Sequence, residues 1–242
     1  MNRFSPIFSA FTLAILVLLS SCSFEPICKR ASGELETRSF DVSSISGLDL
    51  SGSSDVILQR GQTQSLEIEM PADVFEDLEL EVISGVLHVD LKGCYVNGFT
   101  QNIYLTITEP LSSIDVSGAA TVLGEGSIEA DSKLDIDISG SGEIDLDLMA
   151  QEIETNISGS GEVDLRGIAS EHQLRVSGSG DLKAFDLKTE EYQINVSGSG
   201  FAEVFATESL DVKVSGSGDV IYRGNPASIT TDISGSGSVR PE

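Results

Sequence analysis

Long apolar runs, basic side chains and histidines are scarce in this 242-residue chain, and each scarcity closes off a class of function. The longest apolar stretch, residues 10–19 (AFTLAILVLL), falls well short of the roughly 20 residues that a membrane-crossing helix needs, and no later segment could span as a helix. Lys and Arg total 14 against 39 Asp and Glu, a formal charge of −25. Such a surface repels phosphate backbones, which excludes nucleic acid as a partner, and it repels anionic head groups as well. Only two histidines occur, His88 on an outward strand position of LHVDL and His172 at what reads as a loose corner. Neither has a serine or cysteine that the sequence places beside it, so no nucleophile and base pair is legible. No apolar stripe of helical period persists for even about 12 residues. Residues 73–78 are the one segment fit for a helical turn.

The N-terminus has the marks of a targeting segment. Arg3 supplies a basic start, the apolar run follows, and LSSC ends at Cys22. Leu19, Ser20, Ser21 and Cys22 resemble the lipobox of bacterial lipoproteins, in which the cysteine thiol is acylated. Residues 1–21 are then a lipoprotein signal peptide, and the alternative is an ordinary secretory signal with an incidental cysteine. Two or more acyl chains make a stable anchor where one is marginal. The expected location is the cell envelope, as an outer-membrane lipoprotein facing the periplasm or the cell surface. Removing residues 1–21 takes away Arg3 alone among charged groups and leaves 13 − 39 = −26. Of the three cysteines, Cys28 and Cys94 remain. Thiols outside the cytoplasm tend to oxidise, so these two form a disulfide or stay as free thiols. The bond would close a loop of 66 residues. In the chain-entropy model that is worth on the order of 4 kcal/mol.

Residues 22–36 read as a tether and residues 37–113 as an N-terminal β-rich cap or first irregular coils. Residues 114–242 form a regular array, with 37–242 one continuous domain. Strand signals begin at FDVSSISGLDL and continue through DVILQR, SLEIEM, LELEVISGVLHVDL and IYLTIT, all alternating apolar with polar residues. From Ile114 onward a β-branched residue followed by Ser-Gly, usually doubled, recurs seven times, with first serines at 117, 139, 158, 177, 197, 215 and 234. The spacings are 22, 19, 19, 20, 18 and 19 residues, a period that implies one structural unit stacked on the next. In LDIDISGSGEIDLDL, Leu134, Ile136, Ile138, Ile144, Leu146 and Leu148 point inward and the aspartates outward. Later units repeat the aliphatic column down to Ile229 and Ile233.

Each unit has one constant corner and one that varies. The constant corner carries Gly118, Gly140, Gly142, Gly159, Gly161, Gly178, Gly180, Gly198, Gly200, Gly216, Gly218, Gly235 and Gly237. A sharp reversal calls for positive φ and stacked corners bring backbones close, both of which favour glycine. The neighbouring serines are expected to bond turn groups that lose their ladder partners. Residues 149–152, 167–171, 188–190, 207–209 and 224–228 make loose corners that read as polar, with no shared motif. The predicted fold is all-β, a single-stranded right-handed parallel β-helix of pectin-lyase-like shape. Right-handedness follows from the crossover rule, and the spacings do not hold to the six-residue multiples usual in left-handed solenoids. Seven units at about 4.8 Å make a column of roughly 30–35 Å.

Stacking aligns outward side chains into columns. After the corner these read Glu143, Glu162, Asp181, Phe201, Asp219 and Ser238, so three carboxylates lie one above another. Calcium could bridge Glu143, Glu162 and Asp181, or they are a solvated acidic face; no Asp-x-Asp-Gly loop or GGxGxDxUx repeat is present. Before the corner the column reads Asp115, Asp137, Asn156, Arg175, Asn195, Lys213 and Asp232, a mixture suited to solubility and register. A calcium-dependent polysaccharide lyase would use Asp145 or Asp164 for the metal and Arg166 or Arg175 as base.

The lipobox, SGSSDVIL, GVLHVDL and the run VSGAATV, ISGSGEI, ISGSGEV, VSGSGDL, VSGSGFA, VSGSGDV and ISGSGSV together resemble the putative autotransporter adhesin, head GIN domain family, over roughly residues 38–238. The resemblance implies the same β-helix without pectin-lyase catalytic residues, and a role in adhesion. No heptad stalk or C-terminal set of barrel strands is found, so a lipid anchor takes the place of self-translocation. The expectation is a non-catalytic adhesin or binding scaffold with no cofactor, attached to the membrane by lipid and recognising a glycan or protein ligand. The alternative is an envelope structural protein that associates with its own copies through the solenoid end at ISGSGSV, an edge that Arg240 and Pro241 would blunt.

Overall fold

The computed structural model describes residues 28–242. Cys22 and the signal segment lie outside these. The N-terminal part comprises β1 (Leu35–Phe40), β2 (Gly47–Gly52), β3 (Asp55–Arg60), β4 (Ser65–Pro71), β5 (Leu78–Ile83), β6 (Val86–Leu91) and β7 (Asn102–Ile107). Then come β8 (Leu111–Gly118), β9 (Thr121–Gly140), β10 (Glu143–Gly159), β11 (Glu162–Gly178), β12 (Asp181–Gly198) and β13 (Phe201–Gly216). β14 (Asp219–Arg223), β15 (Ser228–Gly235) and β16 (Ser238–Pro241) complete an all-β solenoid of mostly parallel strands. A 3₁₀ turn, Phe75–Asp77, falls in the segment marked for a helical turn.

From β8 onward each unit lies in register on the one before. Ile144, Leu146 and Ile157 of β10 stand opposite Val163, Leu165 and Val176 of β11. The two-residue alternation sends every second side chain into one continuous core, where Leu134, Ile136, Ile138, Ile144, Leu146 and Leu148 are at most 1% exposed. Burying an aliphatic side chain of this kind stabilises by about 1.5–3 kcal/mol relative to leaving it in water. The column ends at β15, where Ile229 and Ile233 are 45% and 42% exposed over the buried Leu210 and Val214.

At Gly159 φ is +130°, and a Cβ there would stand 2.3 Å from the carbonyl oxygen of Gly140. The second glycine of the repeat has a different reason. A Cβ on Gly161 would meet Ile138 Cγ2 at 2.6 Å, so it is small because it packs on the β-branched residue that opens the preceding repeat. The corner keeps its own ladder, with Ser160 N–H donating to Gly140 C=O (2.8 Å) and Glu162 N–H to Gly142 C=O (3.0 Å). The expected side-chain role of the serines is therefore corrected, because the backbone needs no substitute partner. The side-chain bonds that serines beside these glycines do make go to carboxylates, from Ser117 to Asp115 at 3.4 Å and from Ser238 to Asp219 at 2.6 Å.

Three further departures from the sequence reading matter for the surface. Ser51 and Gly52 pair with Ser117 and Gly118, so the glycine ladder has a level before the first of the seven repeats. β2 lies between β6 and β8, and β3 between β7 and β9; the chain leaves this coil, builds β4 to β7 beyond it, and returns. β4 runs antiparallel to β1 and β7, and β5 antiparallel to β6. Secondly, residues 28–34 are docked rather than free. Lys29 N–H donates to Cys94 C=O (2.8 Å), Ala31 and Asn97 exchange two bonds, and Asp73 accepts from the backbone of Ser32 and Gly33. Cys28 and Cys94 are joined by a disulfide with Cα atoms 4.6 Å apart. Thirdly, strands β9 to β13 run through the loose corners, which appear as register shifts such as that between Met149 and Glu152. His172, expected at a loose corner, is instead fully buried in the column Ile153, His172, Tyr192.

Candidate functional site

The solenoid presents two outward faces, one on either side of the glycine corner, and the edge formed by its loose corners. Before the corner, Asp49, Asp115, Asp137, Asn156, Arg175, Asn195, Lys213 and Asp232 stand in register. Desolvation, then Asp49 and Asp137, push the Asp115 carboxyl above its ordinary range. Glu154 of β10 takes Lys133 of β9 (2.8 Å) and Arg175 of β11, so one carboxylate ties three levels together. The hydrogen bond from Lys133 is the main cause that holds Glu154 below the usual carboxylate range. His88 Nδ1 lies 2.7 Å from Asp49.

After the corner, Glu143, Glu162 and Asp181 do stack in register. Glu162 is ion-paired with Lys183, and among the described residues no three His, Cys, Asp or Glu side chains converge as a cation site. Asp145 and Asp164 are paired neighbours bridged by Arg166, which reaches Asp164 at 3.0 Å and also contacts Asp145. Desolvation raises the Asp164 carboxyl, with Asp145 adding to it against the pull of Arg166. The hydrogen bond to Asp145 raises the Arg166 guanidinium further, so it remains a cation that links strands. Of the four lyase candidates the structure thus brings together Asp145, Asp164 and Arg166, while Arg175 sits across the glycine corner on the other face.

His172 is likewise engaged within the core. Its Nε2 lies 3.0 Å from Thr155 Oγ1 and its Nδ1 3.3 Å from the Tyr192 hydroxyl. Burial alone lowers it from 6.5 to about 3, which leaves a neutral imidazole with no path to a substrate.

Hollows occur at several places on the described surface, among them one of about 290 Å³ beside His88 and one of about 270 Å³ beside Tyr95 and Phe99, and two adjoining ones lie along the loose corners. A trough of about 480 Å³ is lined by Pro110, Glu129, Ala130, Asp131, Ser132, Met149, Ala150, Gln151 and Ile168. A second hollow of about 270 Å³ shares Ala150 and Ile168 with it and continues past Ser170, Lys188, Glu190, Thr207 and Glu208. Its floor follows the register Glu129, Met149, Ile168, Lys188. Met149 and Ile168 are 49% and 54% exposed, side by side on adjacent strands. Residues 149–152 and 167–171, which read as polar corners, thus each contribute an exposed apolar side chain. The usable signal was parity, since Met149 directly follows the inward Leu148 and must therefore point out.

A family profile described as putative auto-transporter adhesin, head GIN domain, matches residues 45–226. A crystal structure of a putative adhesin from Bacteroides fragilis is similar with a TM-score of 0.79 at 24% identity, covering 88% of this chain and 100% of that one. A putative adhesin from Parabacteroides distasonis gives 0.72 at 25% identity, over 88% and 99% of the two chains. A protein of the same organism described as a putative lipid binding protein gives 0.68 at 25% identity, again over 88% and 99%. No curated protein matches the sequence.

Proposed function

Because the chain belongs to the putative auto-transporter adhesin, head GIN domain family, we propose that it is a non-catalytic adhesin, held in the cell envelope by lipid on Cys22 and binding its ligand along the loose-corner edge. The observation that carries this reading is the continuous trough, whose floor exposes Met149 and Ile168 on a surface otherwise rich in carboxylates. Adjoining exposed apolar side chains rimmed by polar groups mark an interaction surface. The lack of catalysis is supported by the engagement of Arg166 between two aspartates and by the burial of His172. A rigid stack suits such a role, since it presents a long surface without reorganising on contact.

Adhesion of a deletion strain to immobilised host-matrix protein and glycan tests the reading. Binding is expected to fall, to return with the full chain, and to stay low with Cys22→Ala, which removes the acylated thiol. Unchanged adhesion of the deletion strain would sink it. Self-association in the envelope is a second reading, favoured by the exposed Ile229 and Ile233 of β15. Sedimentation decides that one, and a strict monomer ends it.

A further inference from the structure

We infer that the loose-corner trough takes a cationic, aliphatic-bearing segment of another protein, laid along the solenoid axis; this rests on the adhesin reading and adds the class of ligand. The trough crosses β9 to β13, four rung-to-rung steps. At about 4.8 Å per step that is roughly 19 Å, the length of about six residues of extended chain.

The floor and the rim have different chemistry. Met149 and Ile168 offer adjoining aliphatic side chains, and a thioether beside a branched alkyl group adapts to leucine-like partners. Asp131 flanks one end of the trough beside Glu129, which Arg60 already pairs at 2.9 Å, and Glu190 and Glu208 flank the other, with Lys188 the lone basic residue in the lining. A ligand whose side chains alternate between aliphatic and cationic would place one set on the floor and the other against the carboxylates. In an extended chain the alternation has a period of two, so with the aliphatic set on the floor the cationic set points away from it and reaches the flanking carboxylates by curling its long stems back over the rim. An acidic segment would be repelled by the whole molecule, which carries a formal −25. No residue lining either hollow is aromatic, so a sugar ring would find no flat face to stack on.

Fluorescence anisotropy with labelled hexapeptides tests this on the full chain: alternating Lys-Leu, alternating Lys-Ser and alternating Glu-Leu. The Lys-Leu peptide is expected to bind about tenfold more tightly than Lys-Ser, to weaken by at least about fivefold in Met149→Ser/Ile168→Ser, and to weaken again in high salt, while Glu-Leu does not bind. Asp137→Asn/Asp232→Asn, on the face before the corner, serves as a control that leaves Lys-Leu affinity within about twofold; far-UV circular dichroism checks that each variant folds. Equal affinity for Lys-Leu in the wild type and in Met149→Ser/Ile168→Ser would overturn the inference, because attraction to the acidic molecule at large needs no trough. So would binding of a neutral oligosaccharide or of phosphatidylglycerol vesicles that is lost in the same variant. If the peptides fail while the deletion strain still loses adhesion, the adhesin reading stands and the ligand class falls.

Discussion

Two residues show how closely this chain's chemistry is tied to its stacking. At Gly159 both the positive φ and the Gly140 carbonyl 2.3 Å from a would-be Cβ oppose any side chain, whereas at Gly98 a Cβ would meet nothing within 4 Å. Gly159→Ala is therefore expected to cost roughly 2–4 kcal/mol in urea unfolding, and Gly98→Ala to lie within about 0.5 kcal/mol of the wild type. Equal effects would mean that the corner relaxes freely. His172 makes a pH prediction. Its folded pKa is lowered from 6.5 to about 3, so the unfolded chain binds the extra proton. Its contribution is complete above about pH 6.5 and is lost progressively as pH falls toward about 3. At pH 4.5 the loss is roughly 2–3 kcal/mol. His172→Phe should be less sensitive than the wild type between pH 7.5 and 4.5 by about that amount, measured by urea midpoints at both pH values. An identical pH response in the two proteins would show that the imidazole is not held neutral.

At the scale of elements, much was legible because burial imposes a period of two and stacking a period near 19. The seven repeat levels and their inward columns could be read directly. The Ser51-Gly52 level could not, since β4 to β7 lie between it and its neighbour and break the sequence period while preserving spatial register. Loose corners misled for a related reason: strands pass through them with register shifts, so counting corner residues does not tell which side chain re-enters the core, and His172 was misplaced. The Met149 and Ile168 floor was obscured in the same way. The strap of residues 28–34 carries no apolar period because backbone and polar contacts hold it. Its disulfide is thus one fastening among several. In Cys28→Ser/Cys94→Ser, hydrogen exchange should quicken across residues 29–40 and 72–97, while β10 to β12 keep their protection. The global loss should fall below the roughly 4 kcal/mol of the chain-entropy model. Uniform loss of protection across the solenoid would contradict a local role for the strap.

For the molecule as a whole, the charge pattern runs along the axis as well as over the surface. Adjacent unit charges about 4 Å apart repel by roughly 1 kcal/mol in water and more near protein, so in-register carboxylates oppose the stack they belong to. The central coils answer with cations that each reach a carboxylate on the next level: Lys133 to Glu154, Arg175 to Glu154, Arg166 to Asp145 and Lys183 to Glu162. With a formal −25 overall, the remaining repulsion outweighs these exposed pairs, so raising NaCl from about 10 to 150 mM should raise Tm by a few degrees as the charges are screened. The Glu143, Glu162, Asp181 column separates screening from ion binding. Lys183 already neutralises its middle member, and millimolar calcium is therefore expected to shift the wild-type Tm no further than magnesium at equal ionic strength. Lys183→Met exposes the three carboxylates to one another, and its Tm should fall and recover more with calcium than with magnesium, since calcium accepts flexible carboxylate coordination. A specific calcium gain in the wild type would instead make the column a cation site in which Lys183 competes with the ion.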